Sequence, residues 1–554
     1  MWRSAAILPD FWTPLLFLQI APRASTISAR GAVAARIFAK RTSSLAPPEP
    51  PRAEPSAPSP RFALDRALLL DLADCALLAA RRAGASYADI RLGETTREFI
   101  LAREDRLETY DERKSRGFGL RVLVHGCWGF YGARALDRAA VEAGAERALA
   151  NARAMRSIQA QPIEIEHMPA HEAQWIMPMS VDPFEVPANE KAALLFAANA
   201  AARNAGADFC SAWFSAAREE RLFASSVGSR IAQTRTRVHP QFNVTVIDKA
   251  SGRFASRESL TPARGAGWEH ALGCGLVEEA ALAAGEAREK LHAKPVVAGV
   301  QDVVIDASNL WLTIHETVGH STELDRALGW EANFAGTSFV KPEMRDRLQF
   351  GSELMTVVAD RSQAGGLSTI GFDDDGAPGE TSAFPIVEKG VFRNYQMALG
   401  QAHLIGLERS NGCAYADSPA SFPIQRMPNI SLQPNLEPCT RDDLIGGVEN
   451  GVYIVGAGSW SIDQQRDNFQ FGGQLFYEIR NGRRGEMLRD VAYQSRTTPF
   501  WNSLDGLGDA STYELYGTFS CGKAEPVQVA PVSHGAVPAR FRNVSVLNTG
   551  RGAA

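Results

Sequence analysis

The sequence predicts an α+β fold, and three observations support that reading. Apolar residues recur at helical spacing in four segments of the N-terminal half. Period-two patterns separate those segments in blocks, without the regular alternation of a βαβ protein. The C-terminal half is crowded with short strand-like runs broken by Gly, Asp and Asn turns. With 554 residues, 45% hydrophobic and 22% charged, the chain has apolar material for more than one core.

The first sixty residues stand apart. Arg3, Arg23, Arg30, Arg36, Lys40 and Arg41 meet few acids among many Ala and Ser, and residues 47–60 are proline-rich. Residues 1–60 therefore read as a disordered extension or a targeting leader with its linker. An N-terminal α+β region is expected over 61–295. It opens on a helix in which Leu64, Leu68, Leu69, Leu72, Cys75, Leu78 and Ala79 share a face, ending near Arg82-Ala83-Gly84. Strands are expected at 87–92, 97–102, 117–124 and 128–131, then Ala-rich helices at 139–154 and 190–202. A second strand series follows at 209–223, 230–236 and 242–247, and a helix at 278–291.

Ala293-Lys294-Pro295 marks a boundary, and 296–554 is expected to form a mainly antiparallel β domain. It enters on a strand at Val303-Val304-Ile305 and holds one chemically loaded helix. Asp375-Gly376, Lys389-Gly390 and Asn481-Gly482 are its turns. No internal repeat is visible.

A net charge of -5, with no basic block downstream of the leader, gives no footprint for nucleic acid. Seven cysteines lie singly, without a C-x-x-C pair, which fits a reducing compartment and points to the cytoplasm; the leader leaves export or targeting open. The longest early apolar patch, 15–21, is too short to cross a bilayer, so no membrane association is expected of the body of the chain.

The chemistry concentrates in His315-Glu316-Thr317-Val318-Gly319-His320. Two imidazoles bracketing a carboxylate can hold zinc and activate water beside it, and only 10 histidines occur in the chain. Residues five apart on a straight α-helix diverge by roughly 140°, so the two rings converge only if the helix widens to an i to i+5 turn. Gly319 could relax that distortion. Glu316 can then reach the water without being a ligand, as a general base. A catalytic zinc site normally has three protein ligands, and the third is open among Glu323, Asp325 and a distant cysteine.

Two other patterns are rejected as sites. Gly517 to Lys523 imitates a phosphate loop, but Ala524 stands where Ser or Thr would bind magnesium, and Val527-Gln528-Val529 announces a strand instead of a helix. Asp373-Asp374-Asp375-Gly376 reads as a solvated turn. A dipeptidyl-peptidase-III-like enzyme shares the histidine spacing, but its downstream Glu-Glu element has no counterpart here.

From Asp302 onward the chain resembles the TldD/PmbA family of zinc metallopeptidases, on the side of the catalytic TldD-type subunit. The resemblance rests on the histidine motif, Glu323 and Asp325, Gly336-Thr337-Ser338, Asp373 to Gly379, Arg426-Met427-Pro428-Asn429, and the Cys521-Gly522-Lys523 element. It implies Zn2+ as cofactor, His315, His320 and Cys521 as ligands, Glu316 as general base, and Arg426 and Asn429 on the substrate side. It further implies hydrolysis of unfolded peptides or peptide precursors, and pairing with a PmbA-like subunit or a second copy. A non-catalytic PmbA-like scaffold is the alternative within the family. The chain departs from the family pattern at 410–422 and in an insertion-like stretch at 489–509.

Overall fold

A computed structural model describes residues 64–159 and 161–550; the expected leader lies outside them. The fold is α+β, with helices laid on antiparallel sheets. In the N-terminal half, Cys127–Ala133, Arg106–Val124, Tyr87–Arg103, Phe209–Ser225 and Arg230–Ile247 lie side by side, all antiparallel. Phe254–Glu258 and the parallel Glu172–Ile176 both pair with Arg230–Ile247.

Two expected pairs of strands are fused, and Arg106–Val124 begins well before the expected residue 117. The separate runs at 87–92 and 97–102 are one strand, because Gly93 does not turn the chain. A Cβ there would meet the Glu220 carbonyl at 2.0 Å, so glycine serves close strand approach. Likewise 230–236 and 242–247 fuse into Arg230–Ile247.

One face of this sheet carries two helix pairs. Arg66–Arg82, capped by Asp65, and Arg138–Met155, capped by Asp137, bury Leu69, Leu72 and Leu149 on Ile90, Leu92, Leu120 and Val122. Farther along the same strands, Ala188–Asn204 and Leu276–His292 bury Leu195 and Leu291 with Ile100, Phe214, Phe242 and Val244.

The other face meets charge. Asp89 accepts from Arg91 Nη1 at 2.7 Å and Arg121 Nη2 at 2.6 Å. Arg121 Nη2 also reaches Asp375 Oδ1 at 2.7 Å, and Arg235 Nη2 pairs with Asp374 at 3.1 Å. The triple aspartate is therefore not a solvated turn: Asp373, Asp374 and Asp375 are at most 3% exposed. The turn itself exists, with Gly376 at φ +87. Arginines on the N-terminal sheet take the place of water around it, an arrangement that local turn chemistry cannot reveal.

In the C-terminal half five strands close into a barrel. Asn450–Ile462 pairs in parallel with Gly299–Ile305. Antiparallel pairings continue through Ala539–Asn548, Val491–Arg496 and Asn468–Arg480, which returns to Asn450–Ile462. The insertion-like stretch is thus structural. It supplies the strand Val491–Arg496 and a helix, Thr497–Asn502, whose Phe500 and Trp501 are buried in the core. Gln528–Ala536 is the strand expected after the false phosphate loop, paired with Glu514–Lys523.

Asp306 caps the helix Ala307–Thr313, which leaves the barrel strand Gly299–Ile305 and carries Leu310 into the core. Asn309 Nδ2 donates to the carbonyls of Gly456 and Gly472, both at 2.8 Å, and Asn309 Oδ1 accepts from Tyr493 Oη at 2.9 Å. The helix is thereby bolted to three barrel strands. No helix among the described residues is long and apolar enough to cross a membrane.

Removing Asp89 takes its carboxylate partner from the buried Arg91 and leaves the buried Arg121 with Asp375 alone. Asp89→Ala is expected to destabilise the protein by about 3–5 kcal/mol, read as a lower denaturation midpoint. Asp71→Ala, which breaks the exposed pair with Arg138, should leave the midpoint essentially unchanged.

Candidate metal centre

Beyond Thr313 the helix widens. Residues Ile314–Gly319 form a π-turn in which the N–H of His320 donates to the carbonyl of His315, the i to i+5 bond that the histidine spacing requires. Gly319 serves it differently from expectation. Its backbone is ordinary right-handed helix, and a Cβ there would lie 2.7 Å from Met427 Sδ, so glycine here makes room for that thioether and supplies no conformational freedom. Trp501 Nε1 donates to Thr317 Oγ1 at 2.9 Å, and Thr317 Oγ1 itself donates to the Thr313 carbonyl, fixing the widened turn to the barrel core.

The turn brings the two imidazoles to a centroid separation of 4.6 Å. Cys521 joins them from a distant strand: the ligand atoms of His315, His320 and Cys521 all lie within 4.8 Å of one another, with His320 Nε2 at 3.7 Å from Cys521 Sγ. A register break between Thr518 and Cys521 re-aims the strand, so that Cys521 is buried while Ser520 and Gly522 beside it are exposed.

The other expected ligands point elsewhere. Glu323 Oε2 accepts from His320 Nδ1 at 2.9 Å and from Arg326 Nε; Lys523 Nζ lies 3.3 Å from its Oε1. Asp325 pairs with Lys523 at 2.8 Å. Burial alone would raise the pKa of Glu323, but Lys523, Arg326 and His320 outweigh it and hold the carboxyl well below its usual range. An ionised Glu323 accepts the Nδ1 hydrogen of His320, which leaves the Nε2 lone pair facing Cys521.

Sequence reading missed two neighbours. Arg466, in the turn joining Asn450–Ile462 to Asn468–Arg480, donates from Nη1 to Glu316 Oε2 and from Nη2 to the Ala335 carbonyl at 3.3 Å. His534 places Nε2 at 2.7 Å from His315 Nδ1, and its Nδ1 lies 3.2 Å from the Ile430 carbonyl. The scarcity of histidine was the only available signal for His534; nothing marks Arg466.

Arg426 and Asn429 are both fully buried. Arg426 donates to the carbonyls of Cys521 and Gln528, and the Asn429 amide joins Asp360 O, Thr369 Oγ1 and Ser368 N.

The donor set fits a zinc ion: two neutral imidazoles and a thiol, converging at separations suited to ligands about 2.0–2.3 Å from one metal. Burial pushes His315 down to about 4 and His320 well below its usual value, so both rings are neutral and able to coordinate. Burial raises the Cys521 thiol, with Arg426 pulling the other way.

Comparison with known proteins agrees along the chain. Residues 298–547 match the PmbA/TldA metallopeptidase C-terminal domain, residues 88–152 match domain 1, and residues 181–290 match the central domain. A metalloprotease of Methanothermobacter thermautotrophicus is 28% identical over 464 residues, covering 84% of this chain and 96% of its own length. A metalloprotease TldD homolog of Buchnera aphidicola is 25% identical over 259 residues, 47% of this chain and 50% of its own. The crystal structure of TldE from Thermococcus kodakarensis superposes with a TM-score of 0.65 at 12% identity, covering 86% of this chain and 99% of that one.

A pH dependence follows from the buried imidazoles. An unfolded histidine takes up its proton near pH 6.5, whereas His315 in the folded protein waits until about pH 4. Stability from this group is fully present above pH 6.5 and is lost as the pH falls towards 4. Urea unfolding of the metal-free protein should show a falling midpoint across that window, and His315→Phe should flatten the dependence.

Proposed function

This chain belongs to the TldD/PmbA family of metallopeptidases, and we propose that it is a zinc-dependent peptidase acting on unfolded peptides or peptide precursors. The observation that carries this reading is the convergence of His315, His320 and Cys521 beside Glu316, inside a buried and mechanically fixed turn. A zinc ion held by the three ligands would supply Lewis acidity, polarising the scissile carbonyl and acidifying water.

The protein's own groups do the rest. Glu316 Oε1 or Oε2 takes a proton from the attacking water and returns it to the leaving amine. Arg466, bonded to Oε2, fixes the direction in which that carboxylate points. Glu323 and Lys523 hold His320 and the Cys521 strand in register.

Substrate recognition is read from the strand Glu514–Lys523. Among the described residues it pairs as a strand only with Gln528–Ala536, and an extended peptide is proposed to lie beside it close to Cys521. Backbone pairing there would favour unfolded substrates of varied sequence. Arg426, through the Cys521 carbonyl, would govern how this edge is presented. We further propose a dimeric assembly, with a PmbA-like subunit or a second copy. The cytoplasm is the proposed compartment, since all seven cysteines are free thiols.

Glu316→Gln is expected to retain stoichiometric zinc while peptide hydrolysis falls by about 10²–10⁴-fold. Cys521→Ala should lose both zinc and activity. Unchanged hydrolysis by the Glu316 variant, or purified wild-type protein that takes up no zinc, would overturn the peptidase assignment and leave a scaffold role.

A further inference from the structure

The geometry points to His534 as a positioning residue that selects which nitrogen of His315 is free to coordinate metal. This deepens the metal-centre reading above and rests on it. The Ile430 carbonyl, His534 and His315 form a hydrogen-bonded chain in that order.

A backbone carbonyl can only accept. With the Ile430 oxygen 3.2 Å from His534 Nδ1, the hydrogen of the neutral His534 ring belongs on Nδ1, and its Nε2 carries a bare lone pair. That lone pair lies 2.7 Å from His315 Nδ1. Two bare nitrogens at that distance in a dry interior would repel, so His315 must hold its own hydrogen on Nδ1. Its Nε2 lone pair is then the one left for the cluster with His320 and Cys521.

The alternative, a protonated His534 donating in both directions, would bury a cation facing only His315 and the Ile430 carbonyl. The bonded and stacked partners of His534, namely His315, the Ile430 carbonyl and Trp311, include no anion to compensate that charge, which disfavours it. Trp311 stacks on His534 at 6.2 Å with an interplanar angle of 15°, and the residue sits in the strand Gln528–Ala536 opposite Tyr516, so the ring has little freedom to turn.

The two histidines are thus prepared by unlike partners. His320 leans on an ionised carboxylate, Glu323, whereas His315 leans on a neutral imidazole. A neutral acceptor orients the ring without adding a further negative charge to those of Glu323 and Glu316 near Cys521.

The test has a metal-free and a metal-bound arm. In zinc-free wild-type protein, 15N spectroscopy of labelled histidine should show His315 as the Nδ1–H tautomer. For His534→Phe, which keeps a ring against Trp311 but removes the acceptor, competition with a chromophoric chelator should show zinc affinity weakened by about 10–100-fold. His534→Gln, whose amide oxygen can accept again, should recover most of that loss.

An Nε2–H tautomer at His315, or wild-type zinc affinity in His534→Phe, overturns the proposal. Should the Phe variant fail to fold, the wild-type tautomer decides alone. Zinc-free spectra with the expected tautomer alongside a wild-type protein that binds no zinc would instead sink the metallopeptidase reading.

Discussion

One hydrogen bond, from the N–H of His320 to the carbonyl of His315, governs the centre of this molecule. On a regular α-helix the two rings would point roughly 140° apart, and no third residue could bring them to one ion. Widening the turn costs helical regularity, so the surroundings must favour it over the α alternative. They do so from both sides. Asn309 and Tyr493 hold the preceding helix to the barrel, while Trp501 and Thr317 hold the turn itself. Met427, whose thioether packs against position 319, closes the remaining side. The barrel is thus a frame that keeps one irregular turn irregular.

Around that turn the protein concentrates buried charge, which is stable only when every group is paired. Glu323, Arg326, Lys523 and Asp325 form one such set, all but inaccessible to solvent. It draws together the segment just after His320 and the residue two places beyond Cys521. The ligands from the two ends of the domain are therefore placed by one ionic cluster, and losing any member would strand its partners in a low-dielectric interior.

How much of this was legible in the sequence follows from how local each feature is. The histidine spacing announced the widened turn because helix geometry is local. The Ala-rich helix expected at 139–154 was legible for the same reason, and it runs from Arg138 to Met155. Features made by distant partners were hidden. Gly93 looked like a strand end because its close neighbour, Glu220, lies more than a hundred residues away. The aspartates at 373–375 looked solvated because their arginines sit on another sheet, and the role of Glu323 behind His320 could not be separated from direct ligation until the far nitrogen had been located. Arg466 and His534 carry no local mark at all.

The hidden long-range contacts also explain why the N-terminal sheet bears on a site it does not enter. Asp374, paired to Arg235 of that sheet, accepts from the Ala416 N–H at 2.7 Å, and Asp373 accepts from the Ala414 N–H at 3.0 Å. Arg361 continues the path, donating to the carbonyls of Ala414 at 3.3 Å and Arg426 at 3.0 Å, and Arg426 ends it on the carbonyl of Cys521. Each step is a bond between buried groups that water cannot replace. The inter-sheet aspartates are thus joined to the backbone of Cys521 by a continuous run of buried hydrogen bonds, while Trp501 holds the turn of His315 and His320 to the barrel core. The path from the N-terminal sheet ends at Cys521, and the pair of Lys523 with Glu323 joins that strand to His320.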